Sequence, residues 1–279
     1  MKMKIFNCHH VVPQDTIMTD LFSSLVSGVH GTKDYLGDLD GDNIALEYDH
    51  SEMRHQYYVW KNLLHRFDYV GFEHYRRILF TDIQPASVVS RRNPELLVFR
   101  GHFMQNVSRP YLCASHQLFS DFWKMRKTFS VYDILNLKAA ISKNDITLTR
   151  PLFQDREVMA EQWKTNLPEH VWNAMIEASM ETELLRDHPL KAHMRIETPS
   201  FLNMYVMRSD LFSDYMEFYF DVIGRVQQKV ETAPRLWGHC AERLINIFVY
   251  ARSTIDPKIR VGNMPFILKT SEYIEPGGF

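Results

Sequence analysis

The chain has 279 residues, 45% hydrophobic and 24% charged, which suits an ordinary soluble globular protein of one large domain or two closely joined ones. Thirty-two basic residues against thirty-four acidic ones leave a formal charge of −2, which argues against a protein held to nucleic acid by overall charge. Cys8, Cys113 and Cys240 are few, odd in number and widely spaced, so a reducing cytoplasm is expected rather than a disulfide framework or a cysteine-based zinc site. The N-terminus turns polar too soon for a signal peptide, and no run approaches the ~20 apolar residues of a membrane span. The expected location is the cytoplasm, with a membrane met only by the protein's surface.

In chain order, Met3 to Phe6 read as a first strand, and His9-His10 arrive where it stops, as loop residues or as ligands. Residues 31–43 are rich in turn formers and set Asp38, Asp40 and Asp42 on alternate positions. The run departs from a calcium loop, because Asn43 stands where that loop needs glycine and Asp49 where it needs a bidentate glutamate. The alternative reading of the aspartates is a D-x-D device holding a divalent cation such as manganese or magnesium against a diphosphate.

Asp49 reads as the N-cap of a helix, with Glu52 completing a capping box and Met53, Tyr57, Trp60 and Leu64 at helical spacing. Trp60 reads as core, while Lys61 and Asn62 either cap the last carbonyls or face a site. A buried strand follows from Phe67 to Phe72, and it runs into Glu73, His74, Arg76 and Arg77, residues a core does not choose. Ligands of open α/β sheets settle beyond the carboxyl ends of the strands, so two arginines and a histidine there suggest a bound phosphate or diphosphate. The alternative is a solvated arginine pair beside a packed His74 that donates to a carbonyl. Both arginines reach one ligand only if the backbone turns at Tyr75.

Ser87 to Asn93 read as a polar connection and Pro94 to Arg100 as a strand. Residues 111–144 and 157–186 are mostly helical in pattern, the second with Val171, Met175, Ala178, Thr182 and Leu185 as its inward stripe, so that about 105–195 form a helical insertion within one domain spanning 1–279. Pro199 to Met207 form a strand interrupted by Asn203, which either satisfies backbone or reads a sugar hydroxyl. Ser209 caps a long helix with Phe212, Tyr215, Tyr219, Val222, Val226 and Val230 as its seam. A last helix opens at His239, carrying Glu242 and Arg243 in its first turns. A carboxylate there is favoured by the helix dipole alone, or it serves as a base near the sugar.

The ordered set Gly41-Asp42-Asn43, Trp60-Lys61-Asn62, Tyr69-Val70-Gly71 with His74-Tyr75-Arg76-Arg77, Asn203-Met204-Tyr205 and Ala241-Glu242-Arg243-Leu244 resembles a bacterial family of capsule and surface-polysaccharide synthesis, once a domain of unknown function and now regarded as glycosyltransferases. Two positions depart from its pattern, Glu73 and the His9-His10 pair. The resemblance implies a GT-A-like, Rossmann-type α/β fold with a mixed sheet flanked by helices. It further implies a UDP-hexose donor, a galactose form by preference, and a growing capsule, O-antigen or lipooligosaccharide glycan as acceptor, made at the cytoplasmic face of the inner membrane.

The expected mechanism has Arg76, Arg77 and His74 neutralise the donor's diphosphate, so that no metal is required. His10, Asp42, Asn43, Lys61, Asn203, His239 and Arg243 complete the expected substrate-binding set, and Glu242 is the base if configuration inverts. Two rival readings are a metal-dependent phosphohydrolase built on His9, His10, His74 and Asp38 to Asp42, and a non-catalytic glycan-binding module using the aromatic residues as platforms.

Overall fold

The structure is a computed structural model and describes residues 1–79, 111–114, 116–149, 167–187, 200 and 202–269, with side chains left aside over 111–118. The expected connection at Ser87–Asn93, the strand at Pro94–Arg100, the start of the helical pattern at 157–166, and Pro199 lie outside the described residues.

One mixed sheet organises the rest. Strands β1 (Met3–His9), β2 (Phe22–Val26), β3 (Leu36–Gly37) and β4 (Tyr69–His74) run parallel in the order β3-β2-β1-β4. Beyond β4 the sheet divides. The outer end of β4 folds back as a hairpin into β5 (Arg77–Leu79), which pairs with β10 (Phe266–Lys269) and through it with β6 (Tyr111–Ala114). The inner part of β4 pairs antiparallel with β8 (Tyr205–Arg208), followed by β7 (Ile146–Thr149) and β9 (Val261–Met264). The stretch expected as a helical insertion thus also supplies two strands, β6 and β7, to the same sheet.

Side-chain alternation along the strands builds two cores. Phe6 and Cys8 of β1, Val70 and Phe72 of β4 and Tyr205 and Met207 of β8 face α1 (Met53–Asn62), α4 (Glu169–Met180), α6 (Ser209–Val226) and α7 (Leu236–Ile255). Met3 and Ile5, Tyr69 and Val206 point the other way, onto α2 (His116–Arg126) and α3 (Val131–Ile141). The sequence stripes fall inward as their period requires: Val171, Met175 and Ala178 of α4, with Thr182 and Leu185 around the short α5 (Glu183–Arg186), are all buried. So are Phe212, Tyr215, Tyr219, Val222 and Val226 of α6.

Three helix starts differ from the sequence reading. Asp49 sits in a 3₁₀ turn and accepts from Thr232, while α1 begins four residues later with Glu52 at its N-cap and no side-chain cap. Ser209 is the first residue of α6 rather than its cap, and its hydroxyl donates to Phe67 O. The last helix opens at Leu236, three residues before His239, after Arg235 with φ 65°.

Candidate active site

Strand β4 ends at His74, Tyr75 and Arg76 make the reversal, and Arg77 pairs back with His74 across the antiparallel ladder. Residues directly opposite in such a ladder project to the same face. Arg77 therefore shares a face with His74, the face covered by α1 and α7, and the backbone turn at Tyr75 that the sequence demanded is present. Arg76 sits exposed on the turn with its guanidinium 5.7 Å from the Tyr75 ring centroid.

Two carboxylates meet these cations from the helices on that face. Glu52, at the N-cap of α1, lies 3.4 Å from His74 Nδ1 with both side chains buried. Glu242, in the second turn of α7, accepts from Arg243 at 3.0 Å and lies 3.7 Å from His239. The charges of Arg77, Glu52, Glu242 and His10 all bear on His74, whose pKa is lowered chiefly by burial, with Glu52 acting in the opposite sense. Burial pushes the Glu52 carboxyl up, but His74, its own backbone amide and His10 hold it below the usual range, so it is a buried anion. His74 Nε2 donates to Leu202 O at 3.0 Å, the core-histidine contact weighed from sequence, while its Nδ1 turns toward the charged cluster.

Asn203 is held beside this cluster. It follows Leu202 in a left-handed pair, φ 91° and 52°, donates to Gly238 O at 3.1 Å and accepts from Gln56 through its carbonyl at 3.2 Å. Its buried Oδ1 has no hydrogen-bond partner among the described residues. His10 is exposed at the rim, 5.4 Å from the Tyr75 ring, and feels Glu52, Arg54, Arg235 and Arg76. His10, His74, Arg76, Arg77, Asn203, His239, Glu242 and Arg243 thus gather around the carboxyl ends of β1 and β4 and the start of α7.

The remaining candidates have other work. Asn62 donates to Asp42 O at 2.7 Å and accepts from Asp42 N at 3.0 Å, and Asp42 Oδ1 also accepts from Tyr57. Asn43 closes its own turn on Gly41 O and Ala45 N. The Gly-Asp-Asn and Trp-Lys-Asn segments are therefore two halves of one clamp, and Asn62 also caps α1 through Tyr58 O. Lys61 is exposed and stacks 3.3 Å from the Trp60 ring centroid. Trp60 is half-buried and packs at the edge of the core, stacked on Phe220 with its indole donating to Ser213.

The aspartates diverge. Asp38 is buried against Ser27 and Gly28, Asp40 pairs with His30 and Gly31, and Asp42 is in the clamp. Among the described residues no group of three His, Cys, Asp or Glu side chains is placed to hold a metal ion, so the metal alternative on Asp38, Asp40 and Asp42 and the phosphohydrolase centre do not assemble there.

On the opposite face of the sheet edge lies a cleft of about 440 Å³, whose walls include His9, Val11, Pro13, Tyr75, Phe119 and Trp123. His9 is 6% exposed, its Nε2 has no hydrogen-bond partner among the described residues, and burial lowers its pKa to about 4, so the ring is neutral at pH 7.

Glu73 is turned away from all of this. It is 1% exposed, faces α2 and makes a two-pronged ion pair with Arg126 at 2.7 and 2.9 Å. Sequence reasoning overlooked Glu52, hidden as a capping residue, and Arg235, hidden in a loop. It also left His9 behind its neighbour, although the alternation along β1 carries its side chain to the cleft.

The sheet and its flanking helices form a GT-A-like fold. The whole chain superposes on about half of a solved structure titled as the apo form of WbbM, a bifunctional glycosyltransferase, with TM-score 0.71, 20% identity and coverage of 100% of this chain and 48% of that one. At that identity the likeness establishes the fold. The chain belongs to the family DUF4422, a domain of unknown function, whose model matches residues 4–253. No curated protein matches it, and among the described residues no helix is long and apolar enough to cross a membrane.

Proposed function

We propose that the chain is a glycosyltransferase that moves a hexose, a galactose form by preference, from a UDP-sugar to a growing surface glycan at the cytoplasmic face of the inner membrane. The observation that carries this reading is the registry of Arg77 with His74 across the β4–β5 turn, opposite the buried carboxylate of Glu52 and beside Glu242. Guanidinium groups and acids converge at the carboxyl edge of a parallel sheet, where such folds take their ligands. The likeness to a structure described as a glycosyltransferase supports the reaction class.

In this reading Arg76 and Arg77 bind the diphosphate and stabilise the charge it gains as its bond to the anomeric carbon breaks. No metal is required for that step, because the cations are supplied by side chains. Asn203 reads a sugar hydroxyl with its Oδ1, which has no partner among the described residues. The acceptor hydroxyl attacks the anomeric carbon and, if configuration inverts, gives its proton to Glu242. His10, His239 and Arg243 line the approach. A thermal-shift panel of nucleotides and nucleotide sugars, with and without manganese, tests the reading: stabilisation by UDP without metal supports it, and indifference to every nucleotide overturns it.

A further inference from the structure

We propose that the cleft between the end of β1 and α2 is the pocket for the donor's nucleobase, an inference that rests on the glycosyltransferase reading. The argument begins with the two faces of the sheet edge. His74, Arg77, Glu52 and Glu242 lie on the side of α1 and α7, so the transferable sugar belongs there. His9 alternates with Cys8 along β1 and turns to the other side, against Trp123 of α2 at a ring distance of 6.1 Å. Tyr75 and His10 connect the two sides: both line the cleft, and they lie within 5.4 Å of each other at the arginine turn. A diphosphate lying across that turn with its sugar at the acids directs its nucleoside into the cleft.

The chemistry of the cleft agrees. Phe119, Trp123, Tyr75, Val11 and Pro13 give the cleft apolar walls on which a flat base can stack, while Gln14, Asp15, Ser120 and Lys269 supply polar groups at its margin for a base edge or ribose. Such a base offers a short polar edge, and His9 has the matching group: a buried, neutral imidazole whose Nε2 has no hydrogen-bond partner among the described residues. A volume of about 440 Å³ admits a nucleoside.

The test uses the full chain and two probes, UDP and inorganic diphosphate. Wild type should bind UDP at least tenfold more tightly than diphosphate, and Ser120→Trp, which fills the cleft from α2, should remove that advantage while leaving diphosphate affinity unchanged. Photocrosslinking of 5-iodo-UDP to the unmodified protein reads the same contact without a variant, with adducts expected within residues 9–15 or 119–123 or at Tyr75. Equal affinity for the two probes, a Ser120→Trp variant that keeps its preference for UDP, or adducts confined to other segments overturns the pocket. A variant that binds UDP normally but no longer transfers sugar overturns it in favour of an acceptor site. Failure of wild type to bind either probe instead removes the glycosyltransferase reading beneath it, and the pocket with it.

Discussion

Glu52 Oε1 lies 3.4 Å from His74 Nδ1, and the far nitrogen of the same imidazole lies 3.0 Å from Leu202 O. A carbonyl only accepts, so Nε2 carries hydrogen, and an attractive contact between Nδ1 and the Glu52 carboxylate requires a proton shared between them. The contact joins the N-terminus of α1 and the end of β4 to the left-handed Leu202–Asn203 pair. Glu52→Ala should cost about 3 kcal/mol of stability by stranding a buried partner, whereas Glu52→Gln, whose amide donates to Nδ1, should cost about 1. Urea denaturation at pH 7.5 measures both, and equal losses would contradict the account.

Buried histidines should make the fold sensitive to acid. Burial lowers His9 and His50 to about 4 and His55 to about 3. Their unfolded values lie near 6.5, so below that pH the unfolded state binds more protons than the native one and stability falls as pH falls. The contribution is intact above pH 6.5 and drains away toward pH 4, by about 2 kcal/mol for each histidine at pH 4.5. Denaturant midpoints at pH 7.5, 6 and 4.5 should decline in that order, and a flat profile would contradict the assignment.

Arg126 is the sole charged partner of Glu73 among the described contacts, and it also donates to Leu79 O at 2.6 Å. Arg126→Ala would leave the Glu73 carboxylate buried without its cation, so we expect a loss of about 3–5 kcal/mol. Glu73→Gln with Arg126→Met should recover much of that loss. Thermal melts of the single and double variants decide between this pair and an additive surface effect.

The clamp between Asn62 and Asp42 depends on Gly41, which has φ 136° and would press a Cβ against the Asn62 amide. Gly41→Ala and Asn62→Ala should each destabilise the loop by about 1–3 kcal/mol. Limited proteolysis should then cut within residues 38–47. Unchanged resistance would show the turn to be held by something else.

The same clamp marks what sequence could and could not reveal. Hydrophobic period placed the seams of α4 and α6 correctly, because burial on one face of a helix repeats at a fixed spacing. The turn at Tyr75 was legible as a condition, since neighbouring strand residues face apart unless the chain reverses. Partner choice was not legible. Nothing local distinguishes Glu73, which turns to Arg126, from Glu52, which turns to His74, because each partner arrives from a distant segment. The partners of Asp42, Asn62 and Tyr57, were not legible for the same reason, being settled by a loop meeting a helix.

The central claim is that arginines at the β4–β5 turn do the work of neutralising a sugar donor's diphosphate. Its most direct test is the rate of sugar transfer, or of donor hydrolysis where no acceptor is known, for Arg76→Ala and Arg77→Ala beside wild type without added metal. The account predicts a loss of about 10²–10³-fold in rate for Arg77→Ala and a clear loss for Arg76→Ala, each with an unchanged melting temperature. Rates within a few-fold of wild type for both variants would contradict it.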